Sequence, residues 1–521
     1  METNNVWDIA LGNLSNKKIE EKFIAAKLSE KLIKNLERII EEIIFPLAVR
    51  SSSLLEDSQY QPLAGMYSTY MLPNSHIDKN ERLNQLCETI KRIYASTFFQ
   101  GPKSLMDNII HRHEEEKMGV IIMELAGQKH NELFYPTFSG VAQSFNYYPV
   151  SYMKRKEGVV FTALGLGKTI VDGEKCLRFS PMYPNIFPQY YSIKSMINNS
   201  QNKFYALNMK KGTSPLKFGE TKNLKKYDIS IAEKNNQLKY SASVITKDNI
   251  VRDSLNYEGV RVITFAETLK FNKFPLVKII NHLLKIGEKS LGCPVELEFA
   301  VNINEQEHIK EFCLLQIKPM VIGYKNDTFK ISNYKNHKKS VCFSNQVLGN
   351  GEIESITHIV YVDPDTFKRD KTEEIADEID QINNKLGRKK PYVLFGPGRW
   401  GTSDPWLGIP VTWDQITYTK LIVEIGMEEL NPDPSFGSHF FQNITNLRIG
   451  YFTINKKYHN KHINWDWIKD KKTIHKTKYV KAIKLNNPLF IKIDGMKGKG
   501  IILQNKPVSK NIMHEEESTG I

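Results

Sequence analysis

The chain has 521 residues, of which 40% are hydrophobic and 25% are charged, as in ordinary globular proteins, and it is long enough for two or three domains. Its formal net charge of +14 is distributed unevenly along the chain. The segment Lys456–Lys510 contains fifteen Lys, no Arg and three Asp, and so supplies +12 of it. No apolar run reaches the length of a membrane span, and the first residues do not form a secretion signal. The five cysteines lack metal-ligand or disulfide spacing, so we expect a reduced, cytoplasmic protein.

The lysine-rich segment can attract nucleic acid or another anionic surface. Lysine without arginine lacks the planar fork used in specific phosphate and base recognition, so we do not expect a nucleic-acid partner. Anion or nucleic-acid binding by this end of the chain stays open as an alternative function.

The first predicted elements lead to an arginine beside a loop of serines and glycine. Residues 16–44 show the apolar spacing of a helix, and Ala48–Val49 form a short strand that delivers Arg50. Ser51–Ser53 turn the chain, and Gly65 follows in a Pro-Leu-Ala-Gly loop. A guanidinium and backbone donors that converge in this way suit a polyphosphate. An ion-paired arginine in an ordinary turn is the better explanation of these residues alone, but not once the hairpin described below is considered with them.

The middle of the chain contains further helices and strands around a glycine-rich segment. The predicted elements are a helix at Leu83–Thr97, strands at Met118–Leu125 and Phe138–Ala142, an irregular polar stretch over residues 200–258, and a helix at Phe274–Leu291. The glycine-rich segment Ala163–Gly173 is not a Walker A motif, because such a motif needs glycine where Thr162 stands.

The stretch Pro294–Pro319 is predicted to form two strands joined by a polar loop. Because side chains alternate along a strand, Glu296 and Glu298 share one face, as do Gln316 and Lys318. The alternate residues, predicted to lie on the opposite, apolar face, are Leu297, Phe299, Leu315 and Ile317. If the strands pair, two carboxylates, an amide and an ammonium gather on one face, which suits Mg²⁺ and its phosphates. A hairpin with a merely solvated charged face is the alternative.

The C-terminal part begins after a linker-like stretch, Lys325–Lys339, where we place a domain boundary. The predicted elements are a strand at His358–Val362, a helix at Thr372–Leu386 and a strand at Tyr392–Phe395. The glycine-rich loop Gly396–Trp406 follows. Its Arg399 is predicted to bind an anion, oriented by Asp404, while Trp400 or Trp406 stacks on a planar group. A rigid packed corner is the alternative.

Several of these motifs, in this order, resemble one family. ELEF followed by LLQIKP resembles the hairpin D/E-x-E, then L-Q-x-R-P, of phosphoenolpyruvate synthase and pyruvate phosphate dikinase. The stretch Ala48–Met71, AVRSSSLLEDSQYQPLAGMYSTYM, resembles their V-R-S-S-x-x-x-E-D and the A-G loop. FSGVA resembles S-G-V-x-F, and Ala163–Gly173 resembles G-L-G-E-x-V-V-x-G, with Lys168 in place of the acid. The chain is identified as a truncated or divergent member of this family over about residues 40 to 320.

The resemblance implies an α+β protein that binds ATP and Mg²⁺. An ATP-grasp-like, two-lobed nucleotide-binding domain is expected over residues 1–325, followed by a linker at 326–340, a smaller C-terminal α/β domain at 341–512 and a flexible tail at 513–521. The metal ligands implied are Glu296 and Glu298, and the catalytic residues implied are Arg50 and Lys318. The nucleotide contacts implied are Arg50, Ser51, Gly65, Glu124, Gly165, Gly167, Glu296 and Gln316.

Departures from the family leave the reaction open. The sequence has no recognisable Gly-Gly-Lys segment, Met123 replaces the usual glutamine, and too few residues follow the linker for a pyruvate-binding barrel. Gly437-Ser438-His439 resembles the context of the dikinases' phosphorylated histidine only in these residues, so a structural histidine is the alternative. We expect phosphoryl transfer from ATP to an unidentified acceptor, in which Arg399 and His439 are further candidates. The alternatives are a catalytically weak ATP sensor or scaffold, or one half of a split dikinase whose partner chain supplies the missing domains.

Overall fold

The computed structural model shows a mixed α and β structure with several sheets, so the predicted α+β class is confirmed at that level. It describes residues 4–12, 14–53, 67–100, 102–103, 117–146, 153–190, 192–210, 216–217, 220–221, 223–320, 331, 338–387, 390–402, 404–426, 449–455, 462–495 and 497–506. Gly65, His439, most of the predicted linker 326–340 and the predicted tail 513–521 lie outside the described residues.

The strands are numbered in chain order. They are β1 (Leu47–Ser53), β2 (Thr69–Leu72), β3 (Met118–Glu124), β4 (Gln128–His130), β5 (Leu133–Tyr135), β6 (Phe138–Gln143), β7 (Val159–Leu164), β8 (Leu177–Phe179), β9 (Lys203–Asn208), β10 (Leu216–Lys217), β11 (Glu220–Thr221), β12 (Leu224–Asp228), β13 (Ala242–Ile245), β14 (Val251–Arg252), β15 (Val260–Ile263), β16 (Val295–Asn304), β17 (Ile309–Pro319), β18 (Ser340–Ser344), β19 (Val347–Leu348), β20 (Asn350–Ile353), β21 (His358–Val362), β22 (Tyr392–Pro397), β23 (Arg399–Trp400), β24 (Gly408–Ile409), β25 (Thr419–Ile425), β26 (Gly450–Ile454), β27 (Thr473–Lys476), β28 (Val480–Lys484), β29 (Phe490–Asp494) and β30 (Lys499–Leu503). The main sheets have the orders β2-β1-β3, β12-β9-β5-β4, β17-β16-β6-β7-β8, β18-β30-β29-β20 and β19-β26-β25-β22-β21-β28-β27.

The α-helices of the described residues are mostly short. They are Trp7–Leu11, Asn16–Ala25, Glu30–Glu42, Lys79–Ser96, Lys168–Val171, Ile193–Asn199, Ile229–Lys234, Ala266–Leu269, Leu276–Leu291, Thr372–Leu386 and Trp465–Lys469. Among them, none combines the length and the apolar character that crossing a bilayer requires. The helices predicted at Leu83–Thr97, Phe274–Leu291 and Thr372–Leu386 are confirmed, with small shifts of their first residues in the first two.

The single helix predicted over residues 16–44 is wrong, because the structure has two helices there. Asn16–Ala25 ends at Ala26, whose backbone is extended, with ψ of 151°. Ser29 then caps Glu30–Glu42, and its Oγ accepts a hydrogen bond from the Leu32 amide at 3.3 Å. The side chain of Ser29 satisfies one of the unpaired amides at a helix start, so the capping residue sets a boundary that the apolar spacing alone did not reveal.

The five-stranded sheet that contains β16 and β17 is covered on both faces, as its strand β7 shows. Val160 and Leu164 belong to a core cluster inside the N-terminal half. Val159, Phe161 and Ala163 point to the other face and belong to a second cluster, together with strands and a helix of the C-terminal half. Because side chains alternate along a strand, one strand contributes to both clusters. The two halves of the chain therefore share an apolar core.

The seven-stranded sheet of the C-terminal half has a parallel centre. Strands β21, β22, β25 and β26 run parallel, and the helix Thr372–Leu386 connects the first two. Leu394 of β22 faces the cluster shared with the N-terminal half, whereas Val393 and Phe395 face a third cluster, which β29 and β30 of the four-stranded sheet also line. This sheet is therefore buried between two other layers, as its continuous apolar strands indicate.

The described part of the lysine-rich segment, residues 462–495 and 497–506, belongs to the C-terminal sheets and the helix Trp465–Lys469. Several of its lysines pair with acidic residues from the preceding part of the chain. Lys481 lies 2.8 Å from Asp363, and Lys492 lies 3.1 Å from Glu352. Further pairs of this kind join Lys469 to Asp365, Lys478 to Glu374 and Lys506 to Glu354. Much of the positive charge of the described part of this segment is thus offset within the protein.

Candidate functional site

A cleft of about 460 Å³ lies between β1, β2 and the end of β3 on one side and β6, β16 and β17 on the other. This volume is within the range of small-molecule sites in proteins. Its described lining comes from the N-terminal half of the chain. The predicted site residues in that lining are Arg50, Glu124, Gly167, Glu298, Gln316 and Lys318. The structure therefore brings together residues from motifs that are far apart in the sequence.

The hairpin of β16 and β17 forms one side of the cleft as predicted. The two strands are antiparallel, with Glu296 opposite Lys318 and Glu298 opposite Gln316. Leu297 and Phe299 are fully buried on the other face of β16. The prediction that the carboxylates, the amide and the ammonium share one face is confirmed.

Lys318 lies between the two carboxylates. Its Nζ is 3.1 Å from Glu296 Oε1 and 3.4 Å from Glu298 Oε1. Burial alone would lower the pKa of Lys318, but the two carboxylates outweigh burial and raise that pKa above its ordinary value. Glu296 is only 2% exposed, and its Oε2 accepts a hydrogen bond from Gln143 Nε2 at 2.6 Å. Gln143, which the sequence analysis did not identify, thus holds the inner carboxylate in place from β6.

The position predicted for Leu315 is wrong. The strand pairing shifts between Glu298 and Phe299, where Gln316 pairs with the former and Leu314 with the latter. Leu315 is therefore the extra residue of a β-bulge, and it lines the cleft without joining the apolar cluster that contains Leu297 and Phe299. A bulge changes the direction of side chains locally, so strict alternation fails at this one residue.

Arg50 reaches the same group of side chains from β1. Its Nη2 donates a hydrogen bond to Gln316 Oε1 at 2.9 Å, although the two residues are 266 positions apart in the chain. This partner is a neutral amide and not a carboxylate, and among the described residues no carboxylate forms an ion pair with Arg50. The positive charge of Arg50 is therefore not offset by that contact, and it faces a cleft that a polyphosphate could enter.

The glycine-rich loop before the helix Lys168–Val171 lies beside β6. Gly165 has φ of +79°, and a Cβ there would lie 2.8 Å from the Tyr205 carbonyl oxygen, so glycine is required. The hydroxyl of Ser139 donates a hydrogen bond to the Gly165 carbonyl. Gly167 lines the cleft, so the loop predicted to contact a nucleotide forms part of the cleft wall.

A second charged cluster, which we call the Tyr205 cluster, lies next to this loop. It consists of Lys168, Asp172, Glu174, Tyr205 and Lys226. The Tyr205 hydroxyl donates hydrogen bonds to Asp172 Oδ2 at 3.0 Å and to Glu174 Oε1 at 3.3 Å. Burial and these two carboxylates raise the pKa of Tyr205 well above its ordinary value, so the phenol stays protonated. The sequence did not reveal this cluster, because Tyr205 and Lys226 lie in the stretch predicted to be irregular, which the structure shows to contain β9 and β12.

Arg399 of the C-terminal loop contacts the cleft wall from behind. It is only 9% exposed, and its Nη1 donates a hydrogen bond to the carbonyl of Gly173 at 2.7 Å. Asp404 Oδ1 accepts a hydrogen bond from the backbone amide of Trp406 at 3.0 Å, so this carboxylate caps the turn. Trp400 is fully buried, whereas Trp406 is 58% exposed. The loop therefore packs as a corner between the two halves.

The remaining predicted residues differ in their access to the cleft. Glu124 is exposed at the edge of the cleft. The turn predicted at Ser51–Ser53 is wrong, because these residues continue β1 and pair with β3, and Ser51 is only 2% exposed. Within the described ranges, no group of three or more His, Cys, Asp or Glu side chains could hold a metal ion. Mg²⁺ commonly uses one or two carboxylates together with substrate phosphates, and Glu298 lines the cleft while Glu296, two residues earlier on the same face of β16, is linked to it through Lys318. These residues fit a metal that arrives with a phosphate ligand better than a site made by the protein alone.

Comparisons with known proteins agree with this geometry. No curated protein matches the chain. A family model, the AMP/ATP-binding domain of pyruvate phosphate dikinase, matches residues 3–338, which is more than half of the 521 residues. The matched range includes every element that lines the cleft, and the mixed architecture of several sheets is consistent with an ATP-grasp-like fold. The chain therefore belongs to the family of pyruvate phosphate dikinase AMP/ATP-binding domains.

Proposed function

We propose that the protein binds ATP in this cleft and transfers a phosphoryl group from it. The observation that carries the proposal is the convergence of Arg50, Gln316, Lys318 and Glu298 on one cleft wall in a chain of this family. Phosphoryl transfer depends mainly on positioning and on neutralising the charge of the phosphates. Arginine, lysine and a metal-binding carboxylate supply both.

The residues divide into binding and neutralising roles. Arg50 contacts a phosphate through its guanidinium, while Gln316 keeps that guanidinium in place. Lys318 offsets the carboxylates while the cleft is empty and neutralises phosphate charge when ATP binds. Glu124 and the loop at Gly165 and Gly167 contact the rest of the nucleotide. Ser51 follows Arg50 in β1 and supports it from a buried position. We expect the predicted loop at Gly65 to cover the nucleotide.

We expect Mg²⁺ to enter with ATP. Glu298 is the carboxylate that meets it, and Glu296 supports Glu298 and Lys318 from behind. When bound, the metal neutralises negative charge on the phosphates. The phosphoryl acceptor is a second molecule of unidentified class, because no element of the described cleft indicates its chemistry.

Calorimetric titration with ATP, with and without Mg²⁺, tests the binding step. An Arg50→Ala variant should bind ATP roughly 10-fold to 100-fold more weakly, because it loses a charge-assisted contact. A Glu298→Ala variant should lose the Mg²⁺ dependence of binding. Unchanged affinity in the Arg50→Ala, Glu298→Ala double variant would contradict the assignment.

A product assay tests the reaction class and the alternatives. AMP formation that depends on pyruvate would identify dikinase chemistry, and ADP formation would identify a simple kinase. Binding of ATP without either product supports the second candidate, an ATP sensor or scaffold or one half of a split dikinase. Phosphohistidine analysis of the same samples tests His439 directly.

A further inference from the structure

Two lysines of the Tyr205 cluster have nearly the same surroundings. Lys168 Nζ lies 5.5 Å from the centre of the Tyr205 ring, and Lys226 Nζ lies 5.3 Å from it. Lys168 pairs with Asp172 at 3.1 Å, and Lys226 pairs with Glu174. Each lysine thus has one carboxylate partner and lies over the same aromatic ring. Of these four charged residues, only Lys168 and Asp172 belong to the described lining of the cleft.

The loop that carries Lys168 lies beside the position two residues after Glu298 on β16. Ala300 follows Glu298 on the same face of β16, about 7 Å further along the strand. Ala300 pairs with Ser139, whose hydroxyl binds the Gly165 carbonyl, and a Cβ on Gly167 would lie 3.8 Å from the Ser139 side chain. The loop that carries Lys168 therefore lies over the paired residues Ala300 and Ser139, next to Glu298. A polyphosphate between Arg50 and Glu298 is within reach of this long, flexible side chain.

The present partner of Lys168 does not prevent such a contact. The Lys168 side chain is 27% exposed and that of Asp172 is 16% exposed, so the pair is half-buried, and both residues line the cleft. Exchange of a carboxylate oxygen for a phosphate oxygen keeps a charged acceptor on the ammonium, so the lysine does not lose its ion pair when it moves. The aspartate keeps its hydrogen bond from the Tyr205 hydroxyl at 3.0 Å when the lysine leaves.

We propose that Lys168 is a phosphate-binding residue of the cleft, which moves from Asp172 to the terminal phosphates of a bound nucleotide. Asp172 then acts as a competitor that holds the lysine when the cleft is empty. The proposal rests on the nucleotide-binding function proposed above and adds a ligand-binding residue to it. It also predicts that the two members of one ion pair have opposite effects on affinity.

The experiment compares ATP and AMP binding by calorimetry in the full chain. Lys168→Met should weaken ATP binding by roughly 10-fold to 100-fold and change AMP binding less than about twofold, because AMP lacks the terminal phosphates. Asp172→Asn, which keeps the shape and the hydrogen bond from Tyr205, should strengthen ATP binding by roughly 2-fold to 5-fold. Lys168→Arg should restore most of the affinity, since it keeps the charge.

Lys226→Met is the matched control, because it removes the other lysine from the same ring. It should leave ATP affinity unchanged, whereas equal losses in both lysine variants would show that only the packing of Tyr205 matters and would overturn the proposal. Equal losses of ATP affinity in Lys168→Met and Asp172→Asn would also overturn it, since removal of either member of a purely structural ion pair has the same effect. If Lys168→Met does not fold, Asp172→Asn and Lys168→Arg still decide the matter through the sign of their effects.

The Arg50→Ala variant separates this inference from the proposed function. If Arg50→Ala loses ATP affinity and Lys168→Met does not, the cleft binds ATP and the role of Lys168 is wrong. If the unaltered protein does not bind ATP, the proposed function fails and this inference fails with it.

Discussion

One row of side chains crosses the five-stranded sheet and meets two different environments. Glu298, Val141 and Phe161 are neighbours across β16, β6 and β7 and point to the same face. Glu298 lines the cleft, whereas Phe161, about 10 Å away, is buried against the C-terminal half. The C-terminal half therefore covers one end of the face whose other end forms the candidate site. We call these two ends the cleft end and the covered end.

Two arginines show what this difference means for side chains of the same kind. Arg50 at the cleft end donates to a side-chain amide, and Arg399 at the covered end donates to a backbone carbonyl. In the sequence, both follow a short predicted strand and lie near glycine, so their local contexts look equally suited to an anion. A guanidinium at an open cleft can accept a ligand, whereas one that is 9% exposed contributes to packing. Access, not local sequence, separates the two roles.

The largest expected loss of stability is for a substitution at the covered end. Phe161→Ala should lower the free energy of unfolding by about 3 to 5 kcal/mol, because it leaves a cavity in the core shared by both halves. Urea denaturation should show one transition that shifts as a whole. Ile317→Ala is the control, since that side chain is 39% exposed and should matter much less. Two transitions, of which only one shifts, would contradict a common core.

The next effect concerns the cleft end. Lys318→Met should lower the free energy of unfolding by about 3 kcal/mol, because it leaves the buried Glu296 carboxylate without its cation. Glu298 contributes less to this loss, because water in the cleft can solvate its carboxylate. Since the carboxylates raise the pKa of Lys318 above its ordinary value of 10.5, its stabilising effect is fully present below that pH and is lost as pH rises through the raised pKa. Between pH 6 and pH 9 the difference in stability between parent and variant should therefore not decrease as pH rises, because Lys318 keeps its charge in the parent. A difference that decreases as pH rises through this range would mean that Lys318 loses its charge in the folded protein.

A smaller effect tests the two arginines against each other. Arg399→Ala should lower the free energy of unfolding by about 2 kcal/mol, because the Gly173 carbonyl loses a charged donor, and ATP affinity should change little. Arg50→Ala should show the reverse, with weaker ATP binding and a stability loss below about 1 kcal/mol. Thermal melting and calorimetry on both variants provide the comparison. Normal stability with loss of ligand turnover in Arg399→Ala would instead support an anion-binding role for this residue.

The smallest effect concerns Trp406 at the surface of the covered end. This ring is 58% exposed and lies 5.6 Å from the guanidinium of Arg369. Trp406→Ala should therefore cost only about 0.5 kcal/mol, as for an exposed cation–π contact. Trp400→Ala, at a fully buried position, should cost several times more in the same melting experiment. Similar losses in both variants would show that Trp406 also holds the corner together.

The sequence by itself determined the hairpin at the site and the family of the chain. Alternation along β16 placed Glu296 and Glu298 opposite Leu297 and Phe299, because the pleat of a strand fixes the direction of successive side chains. The separated motifs around Arg50 and Glu298 identified the family that the match over residues 3–338 shows. These features depend on residues that are close in sequence or on motifs that keep their order.

Only the tertiary structure decided which residues have access to a ligand. The sequence treated Arg399 and Arg50 alike, did not identify Gln143 or Tyr205, and placed Leu315 on the wrong face. Each of these depends on a contact between strands or on burial by another half of the chain, such as the hydrogen bond between Arg50 and Gln316 across 266 positions. Local patterns carry no signal for such contacts, because strand pairing and burial arise when distant segments pack together.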